Sequence, residues 1–135
     1  METFQTKQSE ISKLFIEVDT DFKNLARTWV IKEESNSQTP KKTLIKDSKP
    51  GNGNIDFLEG GDTITFKNLN KLVIITYFDL QRIGPNPPSI KYQLVEDDDM
   101  PGNFFENKIY ESNSAEMVFS TSNNSVIITK IIKIV

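Results

Sequence analysis

The chain reads as mostly β, an antiparallel meander closing into a barrel, with one N-terminal amphipathic helix laid against it. Three observations predict this. Up to about Ala26, apolar residues recur at helical spacing, whereas the later segments alternate like strands. Clusters of Gly, Pro, Asn and Ser then interrupt short apolar runs at roughly 8–14-residue intervals. The 135 residues contain no Cys, so a single domain over residues 1–135 must rest on its own hydrophobic core.

The helix is expected over about 9–25, ahead of a barrel or twisted sheet over about 28–135. Ser9 stands at an N-cap position and Glu10 in the first turn, where the helix dipole favours a carboxylate. Ile11, Leu14, Phe15, Val18, Phe22, Leu25 and Ala26 then fall on one stripe, with Asp19-Thr20-Asp21 as a possible break. Leu25–Ile31 is the expected hinge between helix and sheet, and its Trp29, the only Trp, is expected to close one end of the core. A large aromatic there can bury about 150–250 Å².

Strands follow at Thr28–Glu34 and, briefly, at Thr43–Ile45. The turn Pro50–Asn54 leads to Ile55–Leu58, and Glu59-Gly60-Gly61-Asp62 signals a hairpin into Thr63–Phe66. Leu72–Phe78 is apolar on both faces, so it is expected to be central, with core on one side and the helix on the other. Gly84–Pro88 excludes regular structure. Ile90–Leu94, Phe105–Tyr110, Met117–Phe119 and Val126–Val135 complete the strands, with the acidic loop Glu96–Asp99 among them. No internal repeat is visible.

Composition excludes several functions. Without His or Cys the chain lacks the residues of Ser-His-Asp and Cys-His catalysis and the commonest transition-metal ligands. A net charge of −3 argues against nucleic acid as a partner. No apolar run reaches the ~18–20 residues of a membrane span. No signal peptide is visible, so a native Met1 implies a cytoplasmic protein, whereas a trimmed leader would leave the compartment open.

Leu25-x-x-Thr28-Trp29, between an expected helix and a string of strands, resembles small bacterial lipocalin-like domains, as does the cadence of Lys108–Phe119. That family implies a barrel plugged by its Trp, and a non-enzymatic binder of a small apolar ligand or of another protein. The sequence departs from it at Arg27, where the family has Gly, in lacking the Thr-Asp-Tyr triplet, and in lacking a C-terminal Arg to stack on Trp29.

No cofactor is expected. Glu96–Asp99 fails the calcium-loop pattern, with Lys108 where the closing Glu belongs, and Gly51–Asn54 lacks the Lys and helix of a phosphate loop. Glu33, Asp56, Glu59 and Asp79 are carboxylates for a hydrolase, but their spacing singles out no pair; an enzyme is the third reading. The first is a protein-interaction module that uses Lys41, Lys42, Lys46 and Lys49. The second is a carrier whose cavity is lined by Phe57, Phe66, Tyr77 and Tyr92.

The last strand, Val126–Val135, is apolar on both faces and would aggregate at an open edge. It is expected to be paired on both edges. Closure onto the strand near Thr28 would do this, as would an oligomer formed through this strand, with Lys130 and Lys133 as gatekeepers.

Overall fold

The start of the chain folds as a strand. A computed structural model describes residues 2–6, 13–35, 39–56, 64–65, 68–82, 88–97 and 104–135. Strand β1 is Glu2–Phe4 and β2 is Lys13–Thr20. In β2, Leu14, Ile16, Val18 and Thr20 are buried and the residues between them face away. Leu14, Phe15 and Val18 fit a helical stripe, but Leu14, Ile16, Val18 and Thr20 fit a period of two, which puts Phe15 on the opposite face. β-branched Ile16, Val18 and Thr20 favour a pleated surface. An eight-residue antiparallel ladder to β7 (Ile90–Asp97), from Lys13–Asp97 to Thr20–Ile90, then satisfies the backbone.

The expected helix over about 9–25 is therefore corrected to β2 and a single 3-10 turn at Lys23–Leu25; residues 9–12 lie outside the described residues. Phe22, assigned to the apolar stripe, is exposed and left-handed at φ 52°.

The remaining strands are β3 (Ala26–Glu34), β4 (Lys41–Asp47), β5 (Ile64–Thr65), β6 (Leu69–Asp79), β8 (Phe104–Glu111), β9 (Met117–Ser120) and β10 (Ser125–Ile134). They form two sheets. One runs β1-β10-β6-β3-β4, with β9 sharing the β1 edge of β10; the other runs β5-β2-β7-β8. The expected barrel does not close. A sheet closes only where its two edges meet, and here β4 and β1/β9 remain opposite edges of one sheet while β5 and β8 bound the other. The C-terminal strand pairs with β6 rather than with β3. Of the expected Gly60-Gly61 hairpin, only Ile55, bridged to Val18, Asp56, and Ile64–Thr65, paired with β2, lie within the described residues.

One core joins the sheets. Leu14, Ile16, Val18, Ile90, Tyr92, Leu94 and Tyr110 come from the four-stranded sheet. Ala26, Val30, Leu72, Ile74, Phe78, Val126, Ile128 and Ile132 come from the other. At one end, the segment before Ile55 is pulled in by polar contacts. Thr28 Oγ1 lies 2.6 Å from the Gly53 carbonyl and 3.0 Å from Thr76 Oγ1, and the Thr20 N–H and hydroxyl both donate to Asn54 Oδ1. Gly53 is packed so closely that an added Cβ would lie 2.5 Å from Ala26 Cβ.

Candidate interaction surface

The outer face of the larger sheet carries the apolar half of the alternation that its core leaves over. Cross-strand register sets this face in rows. Leu44, Ile31, Val73 and Ile131 form one row; Asp47, Trp29, Ile75 and Thr129 the next; Arg27, Tyr77, Ile127 and Val118 the third. Val118 is 70% exposed and Leu44 55%. Trp29, Ile31, Val73, Ile75, Tyr77 and Ile131 are half-buried and still reached by solvent. Strand β6, apolar on both faces, is thus covered on its inner side by core, while the helix expected on its outer side is replaced by β2 in the opposite sheet.

A basic row bounds the band beyond Ile31. It comprises Lys42, Glu33, Lys71 and Lys133, in which Lys71 lies 3.1 Å from Glu33. Lys42 and Lys133 are exposed and add positive charge to a chain that is negative overall.

At the other end, Arg27 donates twice to the Asp47 carboxylate, at 2.9 and 2.6 Å, and its guanidinium lies 5.0 Å from the centre of the Trp29 ring. These bonds, then the Lys49 N–H, hold the Asp47 carboxyl well below the usual carboxylate range, and Asp47 raises Arg27 in return. The arginine that stacks on Trp29 comes from two residues before it, at the position where Arg27 departs from the lipocalin-like pattern.

Trp29 therefore does not plug the core. Ala26, Thr28 and Val30 point inward, and Trp29 belongs to the opposite face of the same strand. The four lysines do not form one patch. Lys42 lies in the basic row, Lys41 and, past a register shift, Lys46 lie on the opposite face of β4, and Lys49 is exposed beside Asp47 at φ 77°. Among the proposed cavity residues, Tyr77 faces outward and Tyr92 is fully buried in the core, while Phe57 and Phe66 lie outside the described residues. A depression lined by Glu17, Asp19, Lys91, Gln93 and Ile109 has a volume of about 100 Å³. That is well below the ~300 Å³ of an ordinary ligand site.

The carboxylates do not converge. Glu33 is paired with Lys71, Asp79 accepts from the Gln81 N–H at the far end of β6, Asp56 is exposed, and Glu59 lies outside the described residues. No group of three His, Cys, Asp or Glu side chains able to hold a metal occurs among the described residues, and none of their helices is long and apolar enough to cross a membrane.

A second concentration of charge lies inside. Lys130, expected as a gatekeeper, shares the inner face of β10 with Ile128 and Ile132 and is fully buried. Its ammonium lies 2.7 Å from Glu116 Oε2, 2.8 Å from the Glu111 carbonyl and 3.1 Å from Glu2 Oε2. It also sits 5.5 Å from the centre of the Tyr92 ring. Three donors thus meet three acceptors. Glu116 is held for this task, because its other oxygen accepts the Asn113 N–H in a capping box. A lone Lys among isoleucines was the available sequence signal for this cluster, and its parity already placed it on the Ile128–Ile132 face.

Among known proteins, the chain matches no family model, no curated sequence and no solved structure.

Proposed function

We propose that this chain is a non-enzymatic interaction module that docks a partner protein on the outer face of its larger sheet. The observation that carries this reading is the band of Trp29, Tyr77, Ile75, Val73, Ile31, Ile127 and Val118, flanked by Lys42, Lys71 and Lys133. Aromatic and Arg anchors inside a polar rim are the composition of binding hot spots, and few such residues carry most of the energy. A contiguous apolar face on a soluble domain marks a docking site more often than it marks idle surface. The partner is a protein surface with an apolar centre and a carboxylate rim, because exposed Lys42 and Lys133 form no ion pair among the described residues.

The test is capture from an extract of the native host by wild type, Ile75→Asp and Lys133→Glu, with each variant first shown to be folded. A specific partner should be lost with Ile75→Asp, weakened at least tenfold by Lys133→Glu, and weakened by salt. Trp29 is the only tryptophan, so its emission should shift to the blue as the purified partner covers it. A partner bound equally by all three chains would place docking elsewhere.

A further inference from the structure

The second edge of β10 is shared. β9 pairs with Ser125–Ile128, and β1 runs parallel to Ile132–Ile134. The β1 segment is read at every second residue. Glu2 meets the buried Lys130 ammonium, Phe4 is fully buried, and Thr6 Oγ1 donates to Glu96 Oε1 at 2.7 Å. Between these positions the backbone is held from both sheets. The Val135 N–H donates to the Phe4 carbonyl, the Thr6 N–H donates to the Val135 carbonyl, and the Tyr110 hydroxyl donates to the Thr3 carbonyl at 2.7 Å. Main-chain bonds for affinity and alternate side-chain pockets for specificity are the features of peptide recognition by strand addition.

The slot is therefore a built site for an extended segment with carboxylate, aromatic and hydroxyl side chains at alternate positions. Lys130 sets its register. A buried ammonium that loses one of three acceptors is costly, so an occupant shifted by one residue would present the wrong side chain to it.

We propose that this slot exchanges its occupant, taking the Glu2–Thr6 segment of a second copy of the chain. The sequence seen to fit the slot is the chain's own, and every copy carries it. Exchange re-forms each contact between copies and requires no new one. Residues 7–12 tether Thr6 to Lys13, and a tether that short gives the chain's own segment an effective concentration in the mM range. Exchange between wild-type copies is therefore expected at millimolar protein, whereas an intact segment added in trans enters at lower concentration a slot whose own segment is weakened.

A fluorescein-labelled peptide of residues 1–8, titrated with full-length protein by anisotropy, tests the slot. Light scattering over a concentration series tests the occupant. Phe4→Ala protein, with its own strand weakened and its slot intact, should bind the wild-type peptide at least tenfold more tightly than wild-type protein does. Peptides carrying Glu2→Gln or Phe4→Ala should bind at least tenfold more weakly. Wild-type protein should dimerise near 1 mM, whereas Phe4→Ala protein should stay monomeric. If Phe4→Ala protein does not fold, Glu2→Gln protein is held to the same tighter-binding expectation. A folded variant that takes up no peptide, or takes up all three peptides equally, overturns the slot. Wild-type protein that stays monomeric to several millimolar overturns the second copy as its occupant.

Discussion

The Lys130 ammonium lies 2.7 Å from Glu116 Oε2 with its whole side chain shut away from water. Breaking a buried pair by removing one partner typically costs about 3–5 kcal/mol, whereas replacing both partners by apolar groups is close to neutral. Lys130→Ala should therefore fall in that destabilising range by urea denaturation. Lys130→Met combined with Glu116→Met should recover most of the loss. A Lys130→Ala chain as stable as wild type would show that the pair is not coupled to folding.

Gly53→Ala should cost about 1–3 kcal/mol, the usual range for forcing an extra carbon into packed surroundings. The new methyl would meet Ala26 Cβ at 2.5 Å and Thr20 Oγ1 at 2.7 Å. Gly51→Ala is the control. At φ 81°, with nothing within 4 Å, it should show only left-handed strain of about 1 kcal/mol. Thermal midpoints in the reverse order would disprove the close approach.

Trp29→Ala should lower stability by only about 1 kcal/mol, because the ring lies on the outer face rather than in the core. The same change should abolish partner capture. A loss of about 3–5 kcal/mol, the cost of emptying a core aromatic site, would return Trp29 to the interior.

Acid should weaken the Arg27–Asp47 corner. The folded-state pKa of Asp47 is depressed, first by the Arg27 hydrogen bonds. Its contribution is therefore present above the unfolded value of about 3.9 and lost as pH falls below it. Asp47→Asn should flatten the pH dependence of the urea midpoint below about pH 4. An unchanged acid limb would remove Asp47 from the account.

Tyr92 moves in the opposite direction. Burial, then the Glu116 charge, raises its phenol above the ordinary value, so stability is full below about pH 10 and falls as the unfolded chain ionises above it. Its buried hydroxyl finds no hydrogen-bond partner among the described residues. Tyr92→Phe should therefore be neutral or stabilising and should remove the alkaline decline, as followed by circular dichroism. A clear destabilisation would reveal a partner for the hydroxyl.

β3, β6, β7 and β10 were legible because each buries one face, and they lie within a few residues of their expected bounds, as does β9, which has no fully buried residue. The start departs from expectation because Leu14 and Val18, four residues apart, satisfy both the helical and the strand period. Only the ladder to β7, more than seventy residues away, decides between them. The interaction surface was half legible. The two-faced apolarity of β6 was plain, but Trp29, Ile75 and Thr129 become neighbours only through register. Lys42, Lys71 and Lys133 likewise come from three separate strands, whereas the lysines that cluster in sequence, Lys41, Lys42, Lys46 and Lys49, do not share a face.

Glu2 pairs with Ile132, Thr3 with Lys133 and Phe4 with Ile134, across nearly the whole length of the chain. Contacts of such sequence separation form late, since their closure entropy must be met before they return any stability. During synthesis the edge of β10 therefore waits for its last residues, long after β2 and β3 have left the ribosome. Until then Phe4 has no interior to enter, and a nascent chain meets its neighbours on a polysome with that segment unplaced.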